Sequence, residues 1–216
     1  MRRLISMLGR VYRWLHDALY WRTSYVSGRI SLGREVYISP GSTISARNTT
    51  IGDHTRINGP IRIAGSQSVT VGKYCAIGAD VTIISTNHSM CHANLQIFLH
   101  QRFGFAALVD DRGPVVIGHN VWIGDRAVIL PGVHVGDGAV IGTSSVVTRD
   151  VPSFCIVAGV PADTLRKRFD EPMIRELAKI RWWDWPNERI AMNRAFFEAD
   201  LRIVLPQELK CLIVDG

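Results

Sequence analysis

Three histidines fall close together in this chain: His88, within Ser85-Thr86-Asn87-His88-Ser89, then His92 and His100. Imidazole can take a proton from a hydroxyl near neutral pH and return it to a leaving group, so this stretch is where acid–base chemistry is expected. A second group, Arg149, Arg166, Lys167 and Arg168, is suited to phosphates. The formal net charge of +6 and a pI near 9.5 also point to an anionic partner: a phosphorylated cofactor, nucleic acid or a membrane surface. The four cysteines, Cys75, Cys91, Cys155 and Cys211, are scattered without a C-x-x-C pair. That excludes a disulfide framework and fits a reducing compartment.

A repeat positions these residues. From 117 to 152 the chain divides into sixes: IGHNVW, IGDRAV, ILPGVH, VGDGAV, IGTSSV, VTRDVP. The first place holds Ile117, Ile123, Ile129, Val135, Ile141 and Val147; the fifth holds Val121, Ala127, Val133, Ala139, Ser145 and Val151. No helix has a period of six, and strand alternation does not fix glycines at 118, 124, 136 and 142. A short strand and a tight corner every six residues do, giving a triangular coil whose branched residues point inward. The period reappears at Ile51, Ile57 and Ile63 and, after a two-residue slip, at Val71, Ile77 and Ile83; upstream of about 44 it is weak. His119 and His134 occupy repeat places expected to face outward.

The register breaks between Ile83 and Ile117, leaving an inserted loop over roughly 84–114 that carries all three clustered histidines. Three segments are expected: an amphipathic helical segment over 1–28, a repeat domain over 29–160 and a helical tail over 161–216. The first places Leu4, Leu8, Val11, Leu15 and Ala18 at helical spacing among arginines, suited to capping the solenoid or lying on a membrane surface. It does not read as a cleavable signal, because Gly9-Arg10 interrupts the apolar run and no small-residue cleavage site follows. In the tail, helical spacing over 171–199 is interrupted by Trp182-Trp183-Asp184-Trp185-Pro186, whose tryptophans read as packing anchors.

The segment from Ile117 to Phe169, with NVWIGDRAVILPGVHVGDGAVIGTSSVVTRDVP at its heart, resembles the hexapeptide-repeat acyltransferases of the galactoside, maltose and xenobiotic branches. The tail MIRELAKIRWWDWPNERI is similar to that of the xenobiotic branch. The resemblance implies a mainly β fold, a left-handed parallel β-helix with an N-terminal helix, inserted loop and C-terminal helical tail. It makes His88 the catalytic base, Asn58 and Asn87 acceptor contacts, and Trp122, Asp125, Thr143, Thr148, Arg166 and Lys167 the residues that hold acetyl-CoA. Asp163 stands where the sugar enzymes often have arginine, so Lys167 or Arg168 is expected to replace that phosphate contact. No metal is expected. The γ carbonic anhydrases on the same solenoid need two histidines five apart and a third nearby, whereas His88 and His92 are four apart.

The resemblance further implies a homotrimer with the cofactor between subunits. The leading expectation is O-acetylation of a saccharide, a surface polysaccharide or its precursor, in the cytoplasm or at the inner face of the membrane. The basic N-terminus favours an envelope sugar, as does Asn94-Leu95-Gln96-Ile97-Phe98 where the drug-modifying branch has Tyr-Pro-Phe. An antibiotic hydroxyl, an amino-sugar amine and a non-catalytic scaffold are the alternatives. A nucleic-acid partner is not expected, since the basic residues are not interleaved with stacking aromatics.

Overall fold

A computed structural model describes residues 25–110 and 112–214. The amphipathic segment expected at the N-terminus lies mostly outside them. Eighteen short strands among the described residues, from β1 (Tyr25–Val26) to β18 (Ala162–Lys167), form three sheets of six, five and seven strands. All pairings between these strands are parallel except that of β17 (Cys155–Gly159) with β18. Successive strands visit the first, second and third sheets in turn, and each pairs with the strand one coil away: Ile57 opposes Ile77, and Ile83 opposes Ile129. This is the expected left-handed parallel β-helix.

The inward places of the repeat make the core. Ile117, Ile123, Ile129, Val135, Ile141 and Val147 are all buried, as are all six residues of the fifth place, Ser145 included. A β-branched side chain suits this position, since it fills the prism's interior with little rotamer entropy to lose. Glycine marks corners where adjacent coils approach most closely. A Cβ on Gly72 would lie 2.4 Å from the carbonyl oxygen of Gly118 in the next coil, which neither backbone can avoid. Replacing Gly72 by alanine is therefore expected to destabilise the fold by about 3 kcal/mol. Urea unfolding measures this; a loss below about 0.5 kcal/mol, the range of neutral surface changes, would contradict it.

Two boundaries differ from expectation. Solenoid strand is already present at Tyr25–Val26, inside the segment expected to be helical. The first described coils turn at uneven intervals of eight, six and seven residues, through Ile30, Ile38, Ile44 and Ile51, and that blurs the hexad. At the other end, residues 162–167 are not the start of a helical tail. They fold back as β18 and extend the third sheet, with Ile156 opposite Arg166. The helices follow: α2 (Glu171–Ile180), α3 (Asn187–Met192) and α4 (Arg194–Glu198), after α1 (Ile97–Phe103) in the loop. Asp170 caps α2 by accepting the Met173 N–H at 2.9 Å, and Met173 and Leu177, four apart, bury against Trp183, Phe196 and Leu209. No helix among the described residues is long and apolar enough to cross a membrane.

Candidate active site

His88 stands on an outgrowth of the edge between the first and second sheets. Strand β10 (Val81–Ile84) runs into Ser85, which is fully buried and donates to the Gln67 carbonyl at 2.8 Å. Thr86 Oγ1 then accepts the N–H groups of Ser66 (2.7 Å) and Gln67 (3.2 Å). The two-residue slip seen in the sequence is thus the wide corner at 65–68 that seats the loop. Beyond this seat, Asn87 forms an antiparallel bridge with Asp110, whose N–H reaches the Asn87 carbonyl at 2.9 Å. Leu108 is buried within an otherwise exposed return limb.

The His88 ring is exposed and makes one short bond, Nδ1 to the Leu95 carbonyl at 2.6 Å. A carbonyl only accepts, so Nδ1 carries the proton, and in the neutral ring Nε2 is the basic atom. The Asn87 side chain accepts the His88 N–H at 3.1 Å, so its oxygen is engaged locally. His92 and His100 pack within the loop: His92 Nδ1 lies 3.2 Å from Ser89 Oγ, His100 Nδ1 lies 2.7 Å from the Ala106 carbonyl, and the two rings meet edge to face. No three His, Cys, Asp or Glu side chains converge as a metal site among the described residues.

The residues expected to hold the cofactor divide among three places. Asp125 and Thr143 share the edge between the third and first sheets with Asn58, one stacked corner after another. Asp125 Oδ1 accepts the Ala79 N–H at 2.9 Å, so this oxygen ties two coils together. Asp53 and Asp137, on the edge between the second and third sheets, and Asp150, past the first sheet, do the same for Arg34, His119 and His134, ties the hexad did not reveal. Thr148 lies on the first sheet's far edge, two coils along from Ile84. Trp122, 58% exposed on the third sheet, and Arg166 on β18 line one cleft of about 660 Å³ beneath the tail. Lys167 pairs with Glu171. Within one chain, therefore, Asn58, Asp125 and Thr143 lie on a different edge from His88.

His119 points outward from the solenoid but is not solvated. The tail covers it: its ring stacks on Trp183 with centroids 5.6 Å apart, and Nδ1 accepts the Lys73 N–H at 3.0 Å. Burial lowers its pKa below the usual value, against the opposing pull of Asp137 and Asp184. A depressed histidine stabilises the fold while neutral, and that contribution is lost as pH falls from about 6.5 through the lowered value. The wild-type melting temperature is expected to drop more between pH 7.5 and 5 than that of His119→Asn, whose amide oxygen can still accept from Lys73. Equal drops would show that another group governs acid sensitivity.

The family model for the bacterial transferase hexapeptide (six repeats) matches residues 114–149. A chloramphenicol acetyltransferase from Agrobacterium fabrum is 40% identical over 135 residues, covering 58% of this chain and 64% of its own length. The galactoside O-acetyltransferase of Escherichia coli K12 is 36% identical over 132 residues, covering 61% of this chain and 58% of its own. The chain thus spans less than two thirds of either relative. Among solved structures, a hexapeptide-repeat-containing acetyltransferase from Vibrio cholerae superposes with a TM-score of 0.54 at 30% identity, over 64% of this chain and 73% of that one.

Proposed function

The chain belongs to the hexapeptide-repeat acetyltransferases, and from that premise we propose that it transfers an acetyl group from acetyl-CoA to a saccharide hydroxyl, with His88 as general base. The observation that carries this reading is the 2.6 Å bond from His88 Nδ1 to the Leu95 carbonyl. In the neutral ring this bond places the proton on Nδ1 and leaves Nε2 as the basic atom. Nε2 takes the proton of the acceptor hydroxyl as its oxygen bonds to the thioester carbon. The carbon–sulfur bond then breaks, and the same proton passes from Nε2 to the departing thiolate. The balance is one ester and one thiol, with no covalent enzyme intermediate.

The chain's own groups fit CoA. Thr143 is exposed at a corner whose peptide groups can pair with the pantetheine amides, and Arg166 pairs with no carboxylate among the described residues. Because the Asn58–Asp125–Thr143 edge and the His88 edge lie apart in one chain, the complete site is formed between neighbouring copies in a homotrimer. A rotation axis parallel to the solenoid sets one edge of each copy against the other edge of the next.

A sugar acceptor draws support from the galactoside relative and from the loop sequence around Leu95. The second reading, a drug hydroxyl, rests on the 40% identity to the chloramphenicol enzyme. Thiol release from acetyl-CoA against a panel of oligosaccharides, amino sugars and chloramphenicol tests both. Release that depends on a saccharide hydroxyl is the expected result. Release with chloramphenicol alone selects the second reading, and release with amino sugars alone makes the acceptor an amine. CoA-independent behaviour throughout would refute acetyl transfer.

A further inference from the structure

His88 is held by a peptide group, and that peptide group is itself held. The Leu95 carbonyl, which accepts from His88 Nδ1 at 2.6 Å, shares one planar trans peptide unit with the Gln96 N–H. In such a unit the carbonyl and the N–H point to opposite sides. The Gln96 N–H donates to Asn94 Oδ1 at 3.2 Å, and Asn94 Nδ2 donates to the Gln96 carbonyl at 2.8 Å. The Asn94 side chain thus reaches across Leu95 and closes an Asx turn that leads into α1. It is half-buried, whereas Leu95 and Gln96 on its C-terminal side are exposed. Among the described residues the Leu95–Gln96 peptide makes two hydrogen bonds, one with His88 and one with Asn94.

The direction of this peptide decides which nitrogen of His88 is basic. As it stands, a carbonyl oxygen faces Nδ1, and only a protonated Nδ1 suits it. Turned over, the unit would set an N–H against Nδ1, and the neutral ring would carry its proton on Nε2 instead. That form has no base to offer an acceptor hydroxyl. Free neutral histidine favours Nε2–H, and in a protein the bond made by one nitrogen sets the state of the other. The loop must therefore hold the less favoured form. We propose that Asn94 is a positioning residue that fixes the Leu95–Gln96 peptide and so selects the tautomer in which His88 acts as base. Donation to Asn94 also polarises the peptide and makes the Leu95 carbonyl a stronger acceptor. The effect on turnover rests on the acetyl-transfer reading; the effect on the ring does not.

Long-range proton–nitrogen correlation spectra of the full chain, labelled with nitrogen-15 in histidine, test this at about pH 8.5, where an ordinary histidine is neutral. The chain has seven histidines, so the His88 signals are assigned by their loss in His88→Ala. Wild type should show a protonated Nδ1 and a bare Nε2. Asn94→Ala should move the pattern toward Nε2–H and lower kcat about twentyfold, part of what a positioned base contributes, while KM and the Kd for CoA hold. Asn94→Gln, one methylene too long to close the turn, should do the same. Asn94→Asp keeps the acceptor for the Gln96 N–H and should restore both the tautomer and turnover toward wild type. A wild-type tautomer in the alanine and glutamine variants overturns the inference, even if kcat falls, because Asn94 then serves loop packing alone. Failure of aspartate to restore the tautomer overturns it as well. A shifted tautomer with undiminished thiol release keeps the hold of Asn94 on the ring and removes His88 as the base.

Discussion

His88→Ala is expected to lower acetyl-CoA-dependent turnover about a thousandfold, within the range that a positioned general base contributes. The acceptor hydroxyl is a weak nucleophile until its proton is removed, and the loop offers no second base so placed. His92 Nδ1 lies against Ser89 Oγ, and His100, which makes a like bond to the Ala106 carbonyl, is half-buried with its ring held edge to face by His92 and Phe105. The substitution should leave the fold intact, since the His88 ring is exposed and, among the described residues, its one bond is to the Leu95 carbonyl. The melting temperature and the Kd for CoA should therefore match wild type while kcat collapses. A loss of only a few fold would move the base elsewhere in the loop. A matching loss of CoA affinity would mean that His88 positions the thioester and does not take the proton.

The core was readable because hexad chemistry is local: every first-place residue from Ile117 to Val147 is buried, and each was identifiable from type and spacing alone. The loop was readable as a break in that period. What held His88 was not, because the Leu95 carbonyl is a backbone group and leaves no mark in the sequence. Asp125 illustrates another limit. An aspartate at a corner looks the same whether its carboxylate faces a ligand or, as its Oδ1 does, the N–H of Ala79 one coil back. Strand β18 escaped notice because an antiparallel return needs no hexad, and Ala162–Lys167 shows none. The tail's cover over His119 was hidden for a similar reason: helix periodicity gives the buried stripe of α2 but not the surface against which it lies.

Spacing misleads in one further way, with a functional consequence. Asn58 precedes His88 by thirty residues. One coil here takes twenty, from Ile57 to its partner Ile77, and the rest carries the chain across the first sheet to the next edge. The two residues therefore lie on different edges. If neighbouring copies complete each site, chains broken at different edges should repair one another. His88→Ala lacks the base but keeps the Asn58–Asp125–Thr143 edge. Thr143→Trp keeps the base and blocks that edge with bulk at an exposed corner. Each alone should be inactive. Co-expressed in equal amounts and assembled at random, they should recover about a quarter of wild-type turnover, because each interface needs an intact loop from one copy and an intact edge from the next. Recovery near that level would place base and cofactor edge on different chains. If mixed assemblies form, as differential tags can verify, and remain inactive, each site is built within one chain and the path from Thr143 to His88 must run across the first sheet.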